Sequence, residues 1–581
     1  IWKWPRHWPY SVSIWFGPRI SRPGDVQEVR QAVQDLGAEA VQQRKSRSMT
    51  PPRALLRACR RFRFRDKVVD STGVKLTGGS LLLRSLILRR LLMRALPDTD
   101  ERQIGILLPP SVGGVVTNAA VSLMGRVAVN LNYTITSPTM TSCLKLAGIR
   151  HVLTSRKVME KLDLEIDAEL IYLEDFREKV TLTDKVAAAI EAHVVPAWIL
   201  DRMFSLHTLQ GDDVLTVIFT SGSSGEPKGV TLTQHNISSN VEAVDQVVQL
   251  KDDDVMLGIL PFFHSFGYTI TLWTVLTLDI EGAYHFSPLD ARQVGELCRR
   301  HRVTLMLSTP TFLRSYIKRC DPGDLETLDV VVTGAERLPK QVVTAFEEKF
   351  GLRPVEGYGT TELSPLVSLN VPPGRSSGSE IDCREGSVGR PVPGVTAKVV
   401  HPETFENLPV GASGMLLIKG PNVMKGYLGQ PEKTAEVIRD GWYITGDIAK
   451  IDADGFIWIT GRQSRFSKIG GEMVPHVRIE EELHKIVQEE DENGHETLSA
   501  VVMAVDDPRK GERLVVLHTD LPFGPDEIGK KLAEAGLPNL WIPAPDSFLH
   551  VDDIPMLGSG KIDLKEAKRL AEESLLARRR E

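Results

Sequence analysis

Short apolar segments of strand type recur along most of this 581-residue chain and alternate with helical sequence. Six of them read QIGILLPP, HVLTS, LTVIFT, VMLGILP, TLMLSTP and DVVVTG. Between about Met49 and Gly461 this alternation predicts a layered α/β domain with buried strands. Ligands in such folds bind beyond the carboxyl ends of the strands, so the segments that follow the strands are the first candidates for a site.

The length of the chain exceeds what one compact core accommodates, so two or three domains are expected. Beyond Arg462 the segments LSAVVMAV and RLVVLHT indicate a smaller α+β domain. The composition, 42% hydrophobic and 25% charged, is that of an ordinary soluble protein. The five cysteines are scattered and form no CxxC or Cys/His cluster. This argues against a disulfide framework or a zinc site and fits a reducing cytoplasm.

The net charge of −6 conceals a basic segment, Arg44–Arg94, in which 15 Lys and Arg face only Asp66 and Asp70. Such a segment can meet nucleic acid, anionic lipid or an acidic protein, or it can form solvated helix faces. Its apolar part, Ser80 to Leu96, is interrupted by arginines too often to cross a membrane, and a packed helix is predicted. The first residues show no signal-peptide pattern and no initiator methionine, as expected of a fragment.

The stretch VIFTSGSSGEPKGVTL, which starts at Val217, combines a short apolar strand with a loop rich in glycine and hydroxyl groups. Glycines allow a close backbone approach, and successive N–H groups in such a loop can surround an anion. It is not a Walker A loop, because Pro227 precedes Lys228 where that motif has glycine. A solvated surface loop and a phosphate-binding loop both remain open from this segment alone.

Five further segments have the composition of site loops, although each one alone fits an ordinary structural role. A lone histidine beside aromatic residues, for example, is more often structural than catalytic. The segments are LPFFHSFG with His264, VEGYGTTELSP with Glu362, YITGDIAKIDADGFIWITGR with Asp447 and Arg462, KIGGEMV, and PMLGSGKID with Lys561.

Taken together, in this order and at these separations, the segments resemble the adenylate-forming superfamily of acyl-CoA synthetases, peptide-synthetase adenylation domains and luciferases. The resemblance extends from about Met49 to Leu570. It implies a large multi-layered N-terminal adenylating domain, a small mobile α+β C-terminal lid domain, and ATP and Mg²⁺ as cofactors. In that family the loop that starts at Thr220 wraps the β- and γ-phosphates of ATP. The residues implied to bind the nucleotide are Thr220, Ser221, Gly222, Ser223, Ser224, Gly225, Lys228, Gly334, Ala335, Glu336, Tyr358, Gly359, Thr360, Asp447 and Arg462.

The resemblance also implies the catalytic residues. Thr361 corresponds to the α-phosphate contact, and Glu362 to the carboxylate associated with magnesium. Asp447 corresponds to the acceptor of both ribose hydroxyls, with Arg462 beside it. Lys561 corresponds to the lysine that bridges the substrate carboxylate and the α-phosphate. His264 is a further catalytic candidate, from its position after a strand.

The second half-reaction in this family delivers the acyl group to a thiol after rotation of the lid domain. The hinge residue, normally Asp or Lys, is Ser464 here, a departure that puts the energetics of the hinge in question. Gly470 and Gly471 match the loop that lines the pantetheine tunnel.

Within the superfamily, Leu108 to Thr134 and Phe466 to Val474 look most like the acyl-[acyl-carrier-protein] synthetase half of bifunctional 2-acylglycerophosphoethanolamine acyltransferases. Residues Trp8 to Ile20 resemble the end of such an acyltransferase domain. The HxxxxD pair that an acyltransferase needs would lie upstream, because His207 and Asp212, a literal match, stand next to the phosphate-loop strand. The expected domains are therefore an acyltransferase remnant and linker (1–48), the adenylating domain (49–463) and the lid (464–581).

The expected substrate is a medium- or long-chain fatty acid, and the expected acceptor is the phosphopantetheine thiol of acyl carrier protein or coenzyme A. An aryl or amino acid substrate and a catalytically silent nucleotide- or acyl-binding module are the alternatives. The basic segment could attract an acidic carrier protein or hold the enzyme at anionic lipid. The expected location is cytoplasmic, with peripheral contact at the inner face of the cell membrane through the parent acyltransferase. Nucleic acid is not an expected partner, because no recognition module accompanies the basic charge.

Overall fold

The computed structural model of the protein describes residues 14–20, 24, 26–97, 100–221, 227–376, 382–469, 472–488, 500–507, 511–556 and 562–578. Its α-helices are α1 Val26–Gln43, α2 Pro51–Arg61, α3 Gly78–Ala95, α4 Val112–Leu123, α5 Ser137–Ala147, α6 Arg156–Met159, α7 Phe176–Lys179, α8 Leu182–His193, α9 Ala197–Met203, α10 Gln234–Val248, α11 Thr274–Thr277, α12 Ala291–His301, α13 Pro310–Arg319, α14 Lys340–Phe350, α15 Pro431–Val437, α16 His476–Gln488, α17 Pro525–Glu534 and α18 Leu564–Arg578. A π-helix covers Phe266–Trp273.

The strands are β1 Asp66–Asp70, β2 Lys75–Thr77, β3 Gln103–Ile106, β4 Val127–Asn130, β5 His151–Thr154, β6 Glu169–Tyr172, β7 Val214–Ser221, β8 Pro227–Thr233, β9 Val255–Gly258, β10 Glu281–Tyr284, β11 Leu305–Ser308, β12 Val330–Thr333, β13 Val355–Gly359, β14 Leu366–Leu369, β15 Arg390–Pro391, β16 Thr396–Val400, β17 Gly414–Lys419, β18 Gly426–Tyr427, β19 Ile438–Arg439, β20 Trp442–Ile451, β21 Ile457–Arg462, β22 Phe466–Ile469, β23 Glu472–Pro475, β24 Ala500–Asp507, β25 Gly511–His518 and β26 Phe548–His550. All six strand-type segments quoted above form strands, so the prediction of an α/β fold is confirmed.

Two sheets with parallel centres form the middle of the N-terminal domain. The larger has nine strands in the order β15-β14-β13-β12-β11-β9-β10-β1-β2, and the smaller has the order β4-β3-β5-β6. Strands β9, β11, β12 and β13 run parallel in the larger sheet. Their carboxyl ends therefore lie side by side at one edge, where a site is expected.

Two antiparallel sheets complete this domain. Strand β8 pairs with β7 on one side and with β18 on the other. Strands β16, β17, β20 and β19 form the second sheet, and β21 pairs with β20. The glycine-rich segment after Val217 is thus part of a β-hairpin, in which Ser221 faces Pro227, rather than a strand that runs directly towards a helix.

The C-terminal domain has apolar cores of its own. Two clusters of buried residues, one around Ile469 and Val502 and the other around Val501 and Leu517, contain only residues between 469 and 575. They lie on either side of the sheet β24-β25-β26. An ion pair between Arg337 and Glu481 of α16 connects this domain to the N-terminal one. The chain therefore folds as a large N-terminal domain and a smaller C-terminal domain.

The segment before Met49 includes a helix, α1, that docks on the N-terminal domain. The Gln31 amide donates to Thr396 Oγ1 at 2.7 Å, and that hydroxyl donates to Asp35 Oδ1 at 2.6 Å. A Cβ on Gly394 would lie 3.1 Å from Val41, so backbone and helix approach closely there. Helix α1 is thus attached to the sheet that contains β16.

The basic segment Arg44–Arg94 is partly neutralised by carboxylates from outside it. Arg53 and Arg57 bond to Asp201 at 2.9 and 3.3 Å, and Arg61 bonds to Asp279 at 2.8 Å. Further pairs join Lys45 to Asp212, Arg90 to Glu191 and Arg94 to Asp184. The predicted packed helix at Ser80–Leu96 is confirmed as α3, with its leucines buried. Among the helices of the described ranges, none has an apolar stretch long enough to span a membrane.

Candidate active site

The carboxyl ends of β12 and β13 carry two of the predicted site segments. Gly334, Ala335 and Glu336 follow β12, and Ala335 has a left-handed backbone with φ of 68°. Glu336 accepts a hydrogen bond of 2.8 Å from the hydroxyl of Thr311. Tyr358 ends β13 together with Gly359, where a Cβ would lie 1.9 Å from the carbonyl oxygen of Pro365. Only glycine fits that turn.

A buried carboxylate, Asp447, stands at the centre of the predicted ribose site. Strand pairing places it opposite Arg462, whose Nε donates to Asp447 Oδ1 at 2.9 Å. The Tyr358 hydroxyl donates to the other oxygen, Oδ2. Burial raises the pKa of Asp447, against the opposing effects of Arg462 and Tyr358. The structure thus brings Tyr358 together with Asp447 and Arg462, which the sequence placed in a different segment.

A second carboxylate, Glu362, lies in the 3₁₀ turn Thr361–Leu363 and is held by a tyrosine from another sheet. The Tyr427 hydroxyl donates to Glu362 Oε1 at 2.9 Å, and the Lys228 ammonium lies 5.0 Å from the centre of the Tyr427 ring. Burial raises the pKa of the neighbouring Tyr443 phenol, and the charge of Glu362 raises it further. The charge of Asp447 raises the pKa of Arg462, and the charge of Glu362 raises it further, so both carboxylates act on the same side chain.

The threonines before Glu362 offer hydroxyl groups to this site. Thr361 Oγ1 accepts a hydrogen bond of 3.3 Å from Ser265, at the start of the π-helix. Thr360 Oγ1 is buried without a hydrogen-bond partner among the described residues. A buried hydroxyl that lacks a partner is costly unless a ligand supplies one, so this atom fits a site built for a polar ligand.

His264 lies beside this edge, and its ring is exposed. Its centre is 4.5 Å from that of Phe263, which packs edge-on against Tyr133 at 4.8 Å. The phenylalanines of this loop are core residues, because Phe262 and Phe263 are buried. His264 thus lies at the predicted edge of the sheet, and its neighbours Phe262 and Phe263 are part of the core.

An apolar cavity of about 40 Å³ lies behind the same edge, between the nine-stranded sheet and α10. Phe266 is part of its wall and also lies against Gly334, at 3.4 Å from the position of a Cβ there. The cavity has room for about one water-sized group, so a longer chain enters only if side chains such as Phe266 move. Its wall includes Met256, Phe266, Ile270, Leu307, Val332 and Leu366.

Several predicted site residues fall outside what the structure describes. These are Gly222, Ser223, Ser224, Gly225, Lys561, Gly470 and Gly471, together with the side chains of Ser221 and Ser464. Thr220 and Lys228 are described and face each other at the base of the β7–β8 hairpin. The phosphate-loop and lysine assignments therefore stay predictions.

Sequence reasoning missed Tyr427, Tyr443 and Ser265. Tyr427 reaches Glu362 because β18 pairs with β8, so that Gly426 faces Thr231 almost 200 positions earlier in the chain. Nothing in the local sequence MKGYLG signals this contact. Tyr443 is the first residue of the predicted site segment that contains Asp447, four residues further on. Its position in the same strand as Asp447 was the signal that could have identified it.

Comparison with known proteins defines the class to which this chain belongs. Residues 55–428 match the family of AMP-binding enzymes, and the chain belongs to that family. It is 31% identical over 360 residues to a long-chain-fatty-acid–CoA ligase of Bacillus subtilis (strain 168), covering 60% of each protein. It is 32% identical over 364 residues to a feruloyl-CoA synthase of an Amycolatopsis species, covering 62% of this chain and 70% of the relative. A mitochondrial medium-chain acyl-CoA ligase of Rattus norvegicus is 31% identical over 377 residues, or 58% of its length.

Solved structures agree with this fold over most of the chain. ATP-bound MatB from Rhodopseudomonas palustris aligns with a TM-score of 0.71 at 24% identity, covering 90% of this chain and 99% of that one. The o-succinylbenzoate CoA synthetase of Bacillus subtilis, in complex with its acyl-adenylate intermediate, aligns with a TM-score of 0.72 at 22% identity, covering 89% and 98%. The adenylate-forming fold, with its large N-terminal and smaller C-terminal domain, extends through both domains.

Proposed function

We propose that this protein activates a medium- or long-chain fatty acid with ATP to an acyl-adenylate and transfers the acyl group to a phosphopantetheine thiol. The observation that carries the proposal is a pair of neighbouring polar groups beside an apolar cavity. Tyr358 and Arg462 hold Asp447, and Tyr427 holds Glu362 and stacks with Lys228. The charge of Glu362 acts on Arg462, so the two groups are close in space.

The chemistry asks for the groups that this site contains. A carboxylate that attacks the α-phosphorus must overcome repulsion between two anions, so the site needs cations and donors where charge develops. A carboxylate is already a nucleophile, so no acid–base pair is required. Thr361 and the buried hydroxyl of Thr360 are proposed donors to the phosphates, and Lys228 and Lys561 are proposed cations.

Asp447 is proposed to accept the ribose hydroxyls, with Tyr358 and Arg462 holding its two oxygens in place. Glu362 is the proposed metal ligand, because Mg²⁺ prefers a single carboxylate together with phosphate oxygens. Bound there, the ion would neutralise charge that develops on the phosphates. Tyr427 holds the carboxylate for this role, because its hydroxyl donates to Oε1 of Glu362 and makes no bond to Oε2.

The fatty acid is proposed for two reasons. The cavity wall is entirely apolar and contains no group that would recognise an amino or hydroxyl substituent. Two relatives are named for long- and medium-chain fatty acids. The feruloyl-CoA synthase keeps an aryl acid open as a second substrate class.

The acceptor is proposed to be acyl carrier protein, from the resemblance of Leu108–Thr134 and Phe466–Val474, for use in phospholipid acylation. Coenzyme A is the second candidate, because the relatives described above are named as CoA ligases or synthases. Attraction of an acidic carrier by the basic segment Arg44–Arg94, and contact of that segment with the membrane, stay predictions. The ion pairs of that segment weaken both, since about half of its cations already have carboxylate partners.

The proposed domains are 1–48, 49–463 and 464–581. The separate cores between 469 and 575 support the second boundary, and the short 3₁₀ turn Gln463–Arg465 fits a hinge. Helix α1 makes the first region part of the N-terminal domain in space.

The test is fatty-acid-dependent exchange of pyrophosphate into ATP, with Mg²⁺, across a panel of chain lengths and with ferulate as an aryl acid. Exchange with fatty acids is expected. Transfer from the activated acid to holo-carrier protein or to coenzyme A then identifies the acceptor. Folded protein that exchanges with no acid would instead indicate a silent binding module.

A further inference from the structure

Helix α8 carries its largest apolar residues on the solvent side. Leu182, Val186 and Ile190 stand four residues apart, so they share one face, and they are 77%, 50% and 49% exposed. Val194, which follows the last residue of α8, is 71% exposed, and Trp198 of the next helix, α9, is 62% exposed. We call these five residues the apolar stripe. Several large exposed apolar residues in one short stretch of chain favour a contact surface.

The acidic residues of α8 lie on its opposite, buried face. Asp184 and Glu191 point inward and are buried, where Arg94 and Arg90 of α3 bind them. The Asp184–Arg94 distance is 2.7 Å. The inward face also holds Ala188 and Ala192, which belong to the core. Small apolar residues and two carboxylates therefore fill the inward face, and the large apolar residues are left outside, unlike in a usual amphipathic surface helix.

The charges that surround the stripe are mainly positive. Between residues 176 and 205 the exposed charged side chains are Arg177, Lys179, Lys185 and Arg202 against Glu178 alone. The other carboxylates of this stretch, Asp184, Glu191 and Asp201, are buried. A partner that covers the stripe must accept apolar side chains and also carry negative charge.

We propose that the apolar stripe lies in the headgroup region of an anionic phospholipid bilayer, with α8 parallel to the membrane plane. Large exposed aliphatic side chains on a helix, a tryptophan on the next helix and exposed lysines nearby are features of an interfacial segment. A second copy of the chain fits less well. A two-fold contact through this face would bring the cations of both copies together, with Glu178 the only exposed carboxylate of this stretch to oppose them.

The test uses the full chain and vesicles of phosphatidylcholine alone or with one-third phosphatidylglycerol, without ATP or fatty acid. Binding to the anionic vesicles is expected on co-sedimentation. The variant Val186→Asp/Ile190→Asp should lose about tenfold or more of that binding, because it places two carboxylates in the stripe. The matched control Val33→Asp/Val410→Asp changes two other exposed valines, 65% and 46% exposed, and should bind as the wild type does.

Two more variants separate the apolar and charged contributions. Lys179→Glu/Lys185→Glu should reduce the preference for anionic over neutral vesicles and weaken the dependence on salt. Trp198→Phe should bind but lose part of the blue shift in tryptophan fluorescence that vesicles cause in the wild type.

Three results would overturn the proposal. They are absence of vesicle binding by the wild type, equal loss in the control variant, and a wild-type dimer that Val186→Asp/Ile190→Asp converts to a monomer. Circular dichroism melting of each variant shows that it is folded. Because no nucleotide or acid is present, failure here leaves the exchange assay, and thus the proposed ligase activity, unaffected.

Discussion

Removal of one hydroxyl, in Tyr427→Phe, tests how the proposed metal carboxylate is held. The hydroxyl donates to Glu362 Oε1 at 2.9 Å, and Tyr427 is only 7% exposed. A hydrogen bond to a charged group contributes about 1.5–3 kcal/mol. Glu362 is half-buried, so water can replace part of the interaction, and the lower value of about 1.5 kcal/mol applies. That corresponds to about a tenfold change in an equilibrium or rate constant.

The assay is fatty-acid-dependent pyrophosphate exchange measured against Mg²⁺ concentration at saturating ATP. The expected result is an apparent Mg²⁺ affinity about tenfold weaker, with a smaller fall in the maximal rate, because the carboxylate keeps its charge but loses its fixed orientation. The phenylalanine ring preserves the contact with Lys228, so loss of packing is not expected.

Tyr172→Phe is the matched control. Tyr172 is half-buried and, like Tyr427, lies under a cation, with Arg156 at 4.4 Å from the ring centre, but it is remote from Glu362 in the sheet order. It should behave as the wild type does. Folded Tyr427→Phe with unchanged Mg²⁺ dependence and rate would refute the role assigned to the Tyr427–Glu362 contact.

Three further predictions concern other parts of the molecule. Lys561→Ala should abolish acyl-adenylate formation but spare thioester formation from preformed adenylate, and equal loss of both half-reactions would refute the role of this lysine. Arg375→Met should lower the free energy of unfolding in urea by about 3–5 kcal/mol, since it leaves the buried Asp254 carboxylate, now 2.7 Å from the guanidinium, without that partner. Replacement of the exposed Arg156 by Met should leave the free energy of unfolding nearly unchanged, because an exposed ion pair contributes little, and equal losses in the two variants would contradict this reasoning. Burial lowers the pKa of His235 to about 4, below its usual 6.5, so stability is complete above pH 6.5 and falls by about 3 kcal/mol as the pH drops to 4. His235→Leu should remove that part of the acid sensitivity, and an unchanged pH profile of urea unfolding would show that the histidine is not the cause.

The fold was largely predictable because its strands are short, apolar and separated by helices. Each quoted segment formed a strand at or within a few residues of its expected place. The β7–β8 hairpin was not predicted, because a strand followed by a glycine-rich loop has the same local sequence whether the next element is a helix or a returning strand. Only the pairing of Val217 with Thr231 distinguishes the two.

The site residues that belong to recognisable motifs were predictable, and those that stand alone in the sequence were not. Tyr358, Asp447 and Arg462 were each named from the sequence, and the structure places them in contact. Tyr427 comes from a segment without a motif, and antiparallel pairing brings it to the site. Ser265 stands beside His264 in a predicted site loop, but only its place at the start of the π-helix puts its hydroxyl at Thr361. The exposure of the large apolar residues of α8 was also missed, because such residues at helical spacing are normally assigned to the core.

The connection between the domains sets how far the C-terminal domain can travel. Arg462 is fixed to Asp447 by strand pairing, and Gln463–Arg465 is all that separates it from β22. Three residues span about 10 Å when fully extended, so a rotation about this turn changes which face meets the active site but allows little translation. Any rotation would therefore keep the C-terminal domain at a high local concentration at the site, as a short tether does for a linked ligand.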